Sequence, residues 1–222
     1  MPLPSVIPTA AGESMGAALP QLTVGVLALQ GAFSNHLTLL ATLGVEGRAI
    51  RLPVDLEGVD GLVLPGGEST TMSMLLDSSG LREPIAELLD RGLPVLGTCA
   101  GLILLARRVR DGRADQRGFG VLDIETTRNA YGRQNESFES TVELKEHGAI
   151  PGIFIRAPRI VEVGPGVETL GTLRGEPVLV RDGAAIGCAF HPELAGDTTV
   201  HRLLIDQIGR SLTTVADASQ ED

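Results

Sequence analysis

The sequence predicts an α/β fold: a doubly wound, mostly parallel sheet flanked by helices, with a β-rich C-terminal half. Three observations carry this reading. As far as Arg108, short aliphatic runs ending in Gly- or Pro-containing turns alternate with segments of helical period. From Gly118 onward the rhythm changes to closely spaced short strands. The core must be aliphatic, because the 222 residues include five Phe, one Tyr and no Trp.

Leu22–Gln30 (LTVGVLALQ) is a continuous apolar run of the kind buried on both faces of a sheet. After Gly31, the residues Phe33, Leu37, Leu40 and Leu43 mark one face of a helix over Ala32–Leu43, which Gly44 stops. Gly47–Leu52 and Gly61–Leu64 are the next strands, ended by Pro53 and by Pro65-Gly66-Gly67. Helical pattern resumes near Ser69 and over Leu81–Asp90, where Leu81, Ile85, Leu88 and Leu89 share a face. Leu93–Gly97 is a fourth buried strand, followed by a helix through Leu102–Arg108. In the second half, strands are predicted at Val121–Thr127, Ser140–Leu144, Gly152–Ile155, Ile160–Val163, Val178–Arg181 and Ala184–Ala189. Arg181-Asp182-Gly183 is a hairpin turn signal, and a helix over Thr198–Ile208 closes the domain. The late strands are expected to extend or cross the first sheet.

Residues 21–211 read as one domain, long enough to bury a sizeable core. Residues 1–20 carry four prolines, no Lys or Arg, and Glu13. They lack the basic start and unbroken apolar middle of a signal peptide and read as a flexible extension. Residues 212–222 read as a flexible acidic tail. No run approaches the length of a membrane span. With 18 basic against 28 acidic residues, the net charge of −10 argues against a nucleic-acid partner. Two cysteines, Cys99 and Cys188, fit a reducing, cytoplasmic setting. No Cys/His group has metal-ligand spacing, and no glycine-rich turn carries the Lys of a phosphate-binding loop, so neither a metal nor a cofactor is implied.

Ligands of open α/β sheets bind beyond the carboxyl ends of the strands. Three segments occupy such places. Gly97-Thr98-Cys99-Ala100-Gly101 sets one nucleophile between small residues at a strand-to-helix turn, the thiol counterpart of a nucleophile elbow. The alternative for Cys99 is an inert core thiol. Pro65-Gly66-Gly67-Glu68-Ser69 could turn backbone N–H groups toward an oxyanion, or could be a plain turn with a capping side chain. Phe190-His191-Pro192-Glu193 follows a strand; in an extended chain residues two apart share a side, which disposes Glu193 to orient His191 as a base. His191 could instead be a surface histidine beside a turn proline. Cys188 reads as a small core residue and His147 as solvated. His36 and His201 fall on predicted helices, where His36 either packs or serves an interface.

PGGES, GTCAG and HPE together resemble the class I, triad-type glutamine amidotransferases, whose core is flavodoxin-like. VGVLALQGAFSNH, LVLPGGESTTM, RNAYGRQ, SFE, IFIRAP and AFHPEL are similar, more narrowly, to the glutaminase subunits of pyridoxal 5'-phosphate synthases, over Leu22 to Ile208. The resemblance implies a thioester mechanism with Cys99 as nucleophile, His191 as acid and base, and Glu193 holding the imidazole. It implies an oxyanion hole at the N–H groups of Gly67 and Ala100. It also implies a glutamine pocket of Gly66, Gly67, Glu68, Arg133, Ile155 and Arg156, in which Glu68 suits the substrate's α-ammonium and Arg133 its α-carboxylate. Arg156 could instead brace a loop, and Glu68 could cap the following helix. The implied partners are L-glutamine and a synthase subunit, in an assembly of 12 glutaminase and 12 synthase subunits. Little activity is expected without the synthase. Another triad amidotransferase or a γ-glutamyl hydrolase would share Cys99 and His191. A DJ-1-like thiol sensor would not need the oriented base of the HPE turn.

Overall fold

The computed structural model describes residues 22–113, 115–128 and 137–218. The order is β1 (Thr23–Leu27), α1 (Phe33–Thr42), β2 (Glu46–Ile50), β3 (Gly61–Leu64), α2 (Ser69–Ser78), α3 (Arg82–Asp90), β4 (Val95–Thr98) and α4 (Ala100–Leu105). There follow β5 (Ala106–Val109), β6 (Leu122–Thr127), β7 (Phe138–Leu144), β8 (Gly148–Phe154), β9 (Arg159–Val163), β10 (Glu168–Leu173), β11 (Glu176–Asp182) and β12 (Ala185–Cys188). Two helices, α5 (Pro192–Ala195) and α6 (Thr199–Ala218), end the described chain.

Nine strands form one sheet in the order β2-β1-β3-β4-β12-β11-β10-β7-β8. The first five are mutually parallel, and the remaining four add antiparallel neighbours. The β-rich half therefore extends the first sheet. Every residue of β1, β3, β4 and β12 is buried, which is why these strands read as unbroken apolar runs.

Four details differ from the sequence reading. The predicted helix through Arg108 ends at Leu105, and Ala106–Val109 becomes β5 of a second, three-stranded sheet, β5-β6-β9. Ion pairs of Arg107 with Asp123 and of Arg108 with Glu125 and Glu162 draw this basic segment onto acidic strands. Strand β10 escapes the pattern because Gly171 lies within it, at a point where the pairing with β11 shifts register. Helix α6 runs through Ala218, so the first part of the expected tail is helical. In α1 the buried residues are His36, Leu39 and Leu40, a face rotated from the one the leucine spacing marks.

The helix after β4 lies so close to the sheet that only glycine fits at one contact: a Cβ on Gly101 would stand 1.9 Å from the carbonyl oxygen of Leu64. Gly101→Ala is therefore expected to lower stability by ~1–3 kcal/mol or more, the cost of forcing extra volume into a packed interior. Gly166→Ala, where nothing lies within 4 Å, is the control and should stay within about 0.5 kcal/mol of the parent in urea unfolding.

Candidate active site

Cys99 is the single residue between β4 and α4, with φ 49° and ψ −101°. Such a backbone costs a non-glycine residue ~1–3 kcal/mol and persists only where the surroundings impose it. Here its N–H donates to the carbonyl of Cys188 at 2.8 Å, and its own carbonyl accepts from Ile103 N at 3.2 Å. The chain thus enters from a strand and leaves into a helix with one residue to turn the corner. The thiol lies 3.8 Å from the Ile155 carbonyl oxygen.

His191 follows β12, and its N–H donates to the Ile153 carbonyl at 2.8 Å, tying the turn to β8. Its Nδ1 lies 2.6 Å from Glu193 Oε1. The pairing arises differently from the extended-chain expectation, because Pro192–Ala195 forms a single helical turn and Glu193 reaches back from within it. Burial alone would depress the His191 pKa, but hydrogen bonds to Cys99 and Glu193 outweigh it and carry it to about 10. Burial disfavours a charged Glu193, yet the His191 hydrogen bond holds its carboxyl below the usual range.

The loop after β3 packs directly on this pair. A Cβ on Gly66 would lie 2.3 Å from His191 Cε1, so the imidazole rests against bare backbone. Gln30, which follows β1, donates from Nε2 to the Glu68 carbonyl at 2.8 Å and pins the loop. Glu68 realises its capping role: it accepts from Thr70 N at 3.0 Å, Thr71 N at 2.7 Å and the Thr71 hydroxyl at 2.7 Å. Partial burial works against its charge, but these donors bring its pKa to about 2.

A cavity of about 300 Å³ opens over the loop ends, bringing Gly66, Gly67, Glu68, Ile155 and Arg156 together with Cys99 and His191. Glu193 sits behind His191, 4 % exposed, and Ala100 begins α4 at 1 % exposure. Arg156 has φ 45°, a strained position at the cavity wall. Arg133 lies outside the described residues. Arg128 also lines the cavity, and the sequence reading passed over it although it opens the RNAYGRQ segment. Its Nη1 is 3.0 Å from Thr70 Oγ1 and 3.3 Å from Gln116 Oε1, while its buried Nε has no hydrogen-bond partner among the described residues. No helix among those residues is long and apolar enough to cross a membrane.

The Glu68 cap makes stability depend on pH in a defined sense. A carboxyl depressed on folding contributes stability above about 4.5 and loses it as pH falls through about 2. Glu68→Gln should be less stable than the parent near neutrality by about 0.5–1 kcal/mol, the scale of a charged cap. In urea unfolding the gap should close over that acid range; a gap that stays constant would refute the charged cap.

A model of the SNO glutamine amidotransferase family matches residues 26–210. The pyridoxal 5'-phosphate synthase subunit PdxT of Corynebacterium jeikeium is 49% identical over 189 residues, covering 84% of this chain and 97% of that protein. The Thermotoga maritima subunit of the same name is 49% identical over 189 residues, covering 84% and 100%. A crystal structure described as a glutamine amidotransferase superposes with a TM-score of 0.79 at 43% identity, covering 84% of this chain and 98% of its own. The structure of PurLQS from Thermotoga maritima, at 16% identity and a TM-score of 0.64, shares the fold. The chain belongs to the SNO glutamine amidotransferase family.

Proposed function

We propose that the chain hydrolyses L-glutamine to L-glutamate and ammonia and delivers the ammonia to a synthase partner that makes pyridoxal 5'-phosphate. The observation that carries this is His191, hydrogen-bonded to Glu193 and lining the same cavity of about 300 Å³ as Cys99. Cys99 Sγ attacks the side-chain carboxamide carbon, and the proton it gives up resides on His191. The N–H groups of Gly67 and Ala100 receive the carbonyl oxygen as it becomes an oxyanion, a kind of contact worth ~3–4 kcal/mol per donor. His191 returns its proton to the departing nitrogen, the C–N bond breaks, and ammonia leaves a glutamyl thioester. His191 then takes a proton from water as the water attacks, and glutamate departs with Cys99 restored. Throughout, Glu193 holds the imidazole in orientation and balances its charge.

Glutamine itself is held by its α-groups. Glu68, whose carboxylate also caps α2, lines the cavity where the α-ammonium would sit, and the α-carboxylate is paired by arginine, for which Arg128 and Arg156 line the cavity and Arg133 follows in the same segment as Arg128. Ile155, whose carbonyl meets the Cys99 thiol, and the Gly66-Gly67 backbone complete the pocket.

Ammonia released into water would be protonated and lost as a nucleophile, so the product calls for a docked acceptor. The relatives named as synthase subunits support a synthase as that partner. The assembly proposed has 12 glutaminase and 12 synthase subunits, with the PGG loop completed on docking. The two unpaired cysteines suit the reducing cytoplasm.

Glutamate release is the test, with the synthase present. Cys99→Ala should lower kcat by about 10⁴-fold or more, as removing a nucleophile does, and 6-diazo-5-oxo-norleucine should label Cys99 in the parent. Hydrolysis surviving in Cys99→Ala would remove the thiol from the mechanism. Equal rates with and without the synthase would contradict completion on docking.

A further inference from the structure

Behind the Cys99–His191–Glu193 triad the polar chain continues into the interior. His36 of α1 and His201 of α6 are both 0 % exposed, and no step of the hydrolysis uses either. His36 Nδ1 lies 2.9 Å from His201 Nε2. On its other side, His36 Nε2 lies 3.6 Å from Glu193 Oε2 and 3.4 Å from the Thr98 hydroxyl. Glu193 Oε2 is buried and has no hydrogen-bond partner among the described residues, His36 Nε2 standing just beyond that range; His201 Nδ1 likewise has none. A carboxylate oxygen left without a donor in the interior costs ~1–3 kcal/mol or more. His36 is the group placed to supply that donor.

Proton placement follows from the geometry. One hydrogen lies between His36 Nδ1 and His201 Nε2. Were it on His36, a bare Nε2 lone pair would face a carboxylate oxygen with only the Thr98 hydroxyl to donate to it, and the proton on His201 would sit at Nδ1 with nothing to receive it. With the hydrogen on His201 Nε2, His36 carries its own on Nε2, aimed at Glu193, and His201 Nδ1 is only an unused acceptor. The second arrangement leaves no ring N–H unmet, with the Thr98 hydroxyl oxygen, 3.4 Å from Nε2, as a further acceptor. We propose that His36, backed by His201, is a positioning residue for the triad: it presents Nε2–H to Glu193 Oε2 and fixes the carboxylate that orients His191.

Around His36 stand Glu193 from α5, His201 from α6 and Thr98 from β4, with His191 beyond Glu193. Burial, against the pull of Glu193, brings His36 to about 4, and burial brings His201 to about 3. Both rings are therefore neutral near neutral pH. A neutral donor steadies Glu193 without cancelling its charge, which stays available to the His191 imidazolium. A lysine at the same place would satisfy the oxygen but neutralise the carboxylate.

The inference rests on the glutaminase reading, and the experiment separates the two. In the complex with the synthase, His36→Leu should lower kcat by about 10–100-fold, the range seen when a group that orients another is removed. KM for glutamine should stay near the parental value, since His36 does not reach the cavity. His36→Gln, whose amide N–H can stand near the imidazole Nε2, should restore most of the loss. On the unsubstituted chain, ¹⁵N NMR should find His36 neutral with its proton on Nε2, a readout that needs no variant to fold. Parental kcat in His36→Leu, or a His36 proton on Nδ1, would overturn the role of His36. Absence of glutamine hydrolysis in the unsubstituted complex would overturn the glutaminase reading beneath it.

Discussion

The whole site depends on a backbone constraint at one residue. Cys99 is held at positive φ between a buried parallel strand and a helix, in a conformation that ordinary L-residues avoid. The strain persists because both sides of the turn are immobile. Strand β4 is paired on each edge, by β3 and β12, and α4 is pressed against the Leu64 carbonyl at Gly101. Neither strand nor helix can move to let Cys99 relax, so the thiol is presented at one place. The neighbouring strands then decide what meets it. Strand β3 ends in the Gly66-Gly67 loop and β12 ends in His191, and the order of the sheet sets these two beside Cys99.

A second feature lies behind the cavity: a line of polar side chains from Cys99 through His191 and Glu193 to His36 and His201. Polar groups in an interior are costly unless satisfied, and satisfied networks stiffen what they connect. This line links α1, α5 and α6. Its charges sit at the cavity end, on His191 and Glu193, while the two inner histidines are kept neutral by burial. Glu68 is a separate case, since its carboxylate is drawn into capping α2 and stabilises the loop that faces the thiol.

Much of this was legible in the residues. Strand β3 occupies the bounds its apolar run predicts, and the parallel half follows from buried strands separated by helices. Cys99, His191 and the Gly66-Gly67 turn were marked because each follows a strand and combines small or turn-forming residues with reactive ones. What remained hidden has particular causes. Helical spacing reports apolar faces, so a buried histidine such as His36 turned the true face of α1 away from the leucines that advertised it. Arg128 and Arg133 share one segment, and spacing alone does not say which of two arginines reaches a cavity built from distant loops. The basic run after Leu105 reads as the continuation of a helix until the acidic strands beside it are known. Gln30 sits at the end of an apolar run, and its role in pinning the Glu68 carbonyl is purely tertiary.

The central claim is that the strained turn makes Cys99, and not the fully buried Cys188, the nucleophile of glutamine hydrolysis. Acid-quenching the synthase complex during turnover and mapping the chain by mass spectrometry tests it most directly. The account predicts a glutamyl group in thioester linkage on the Cys99 peptide, absent when glutamine is omitted. A glutamyl group on Cys188, or turnover with Cys99 unmodified at every quench time, would contradict it.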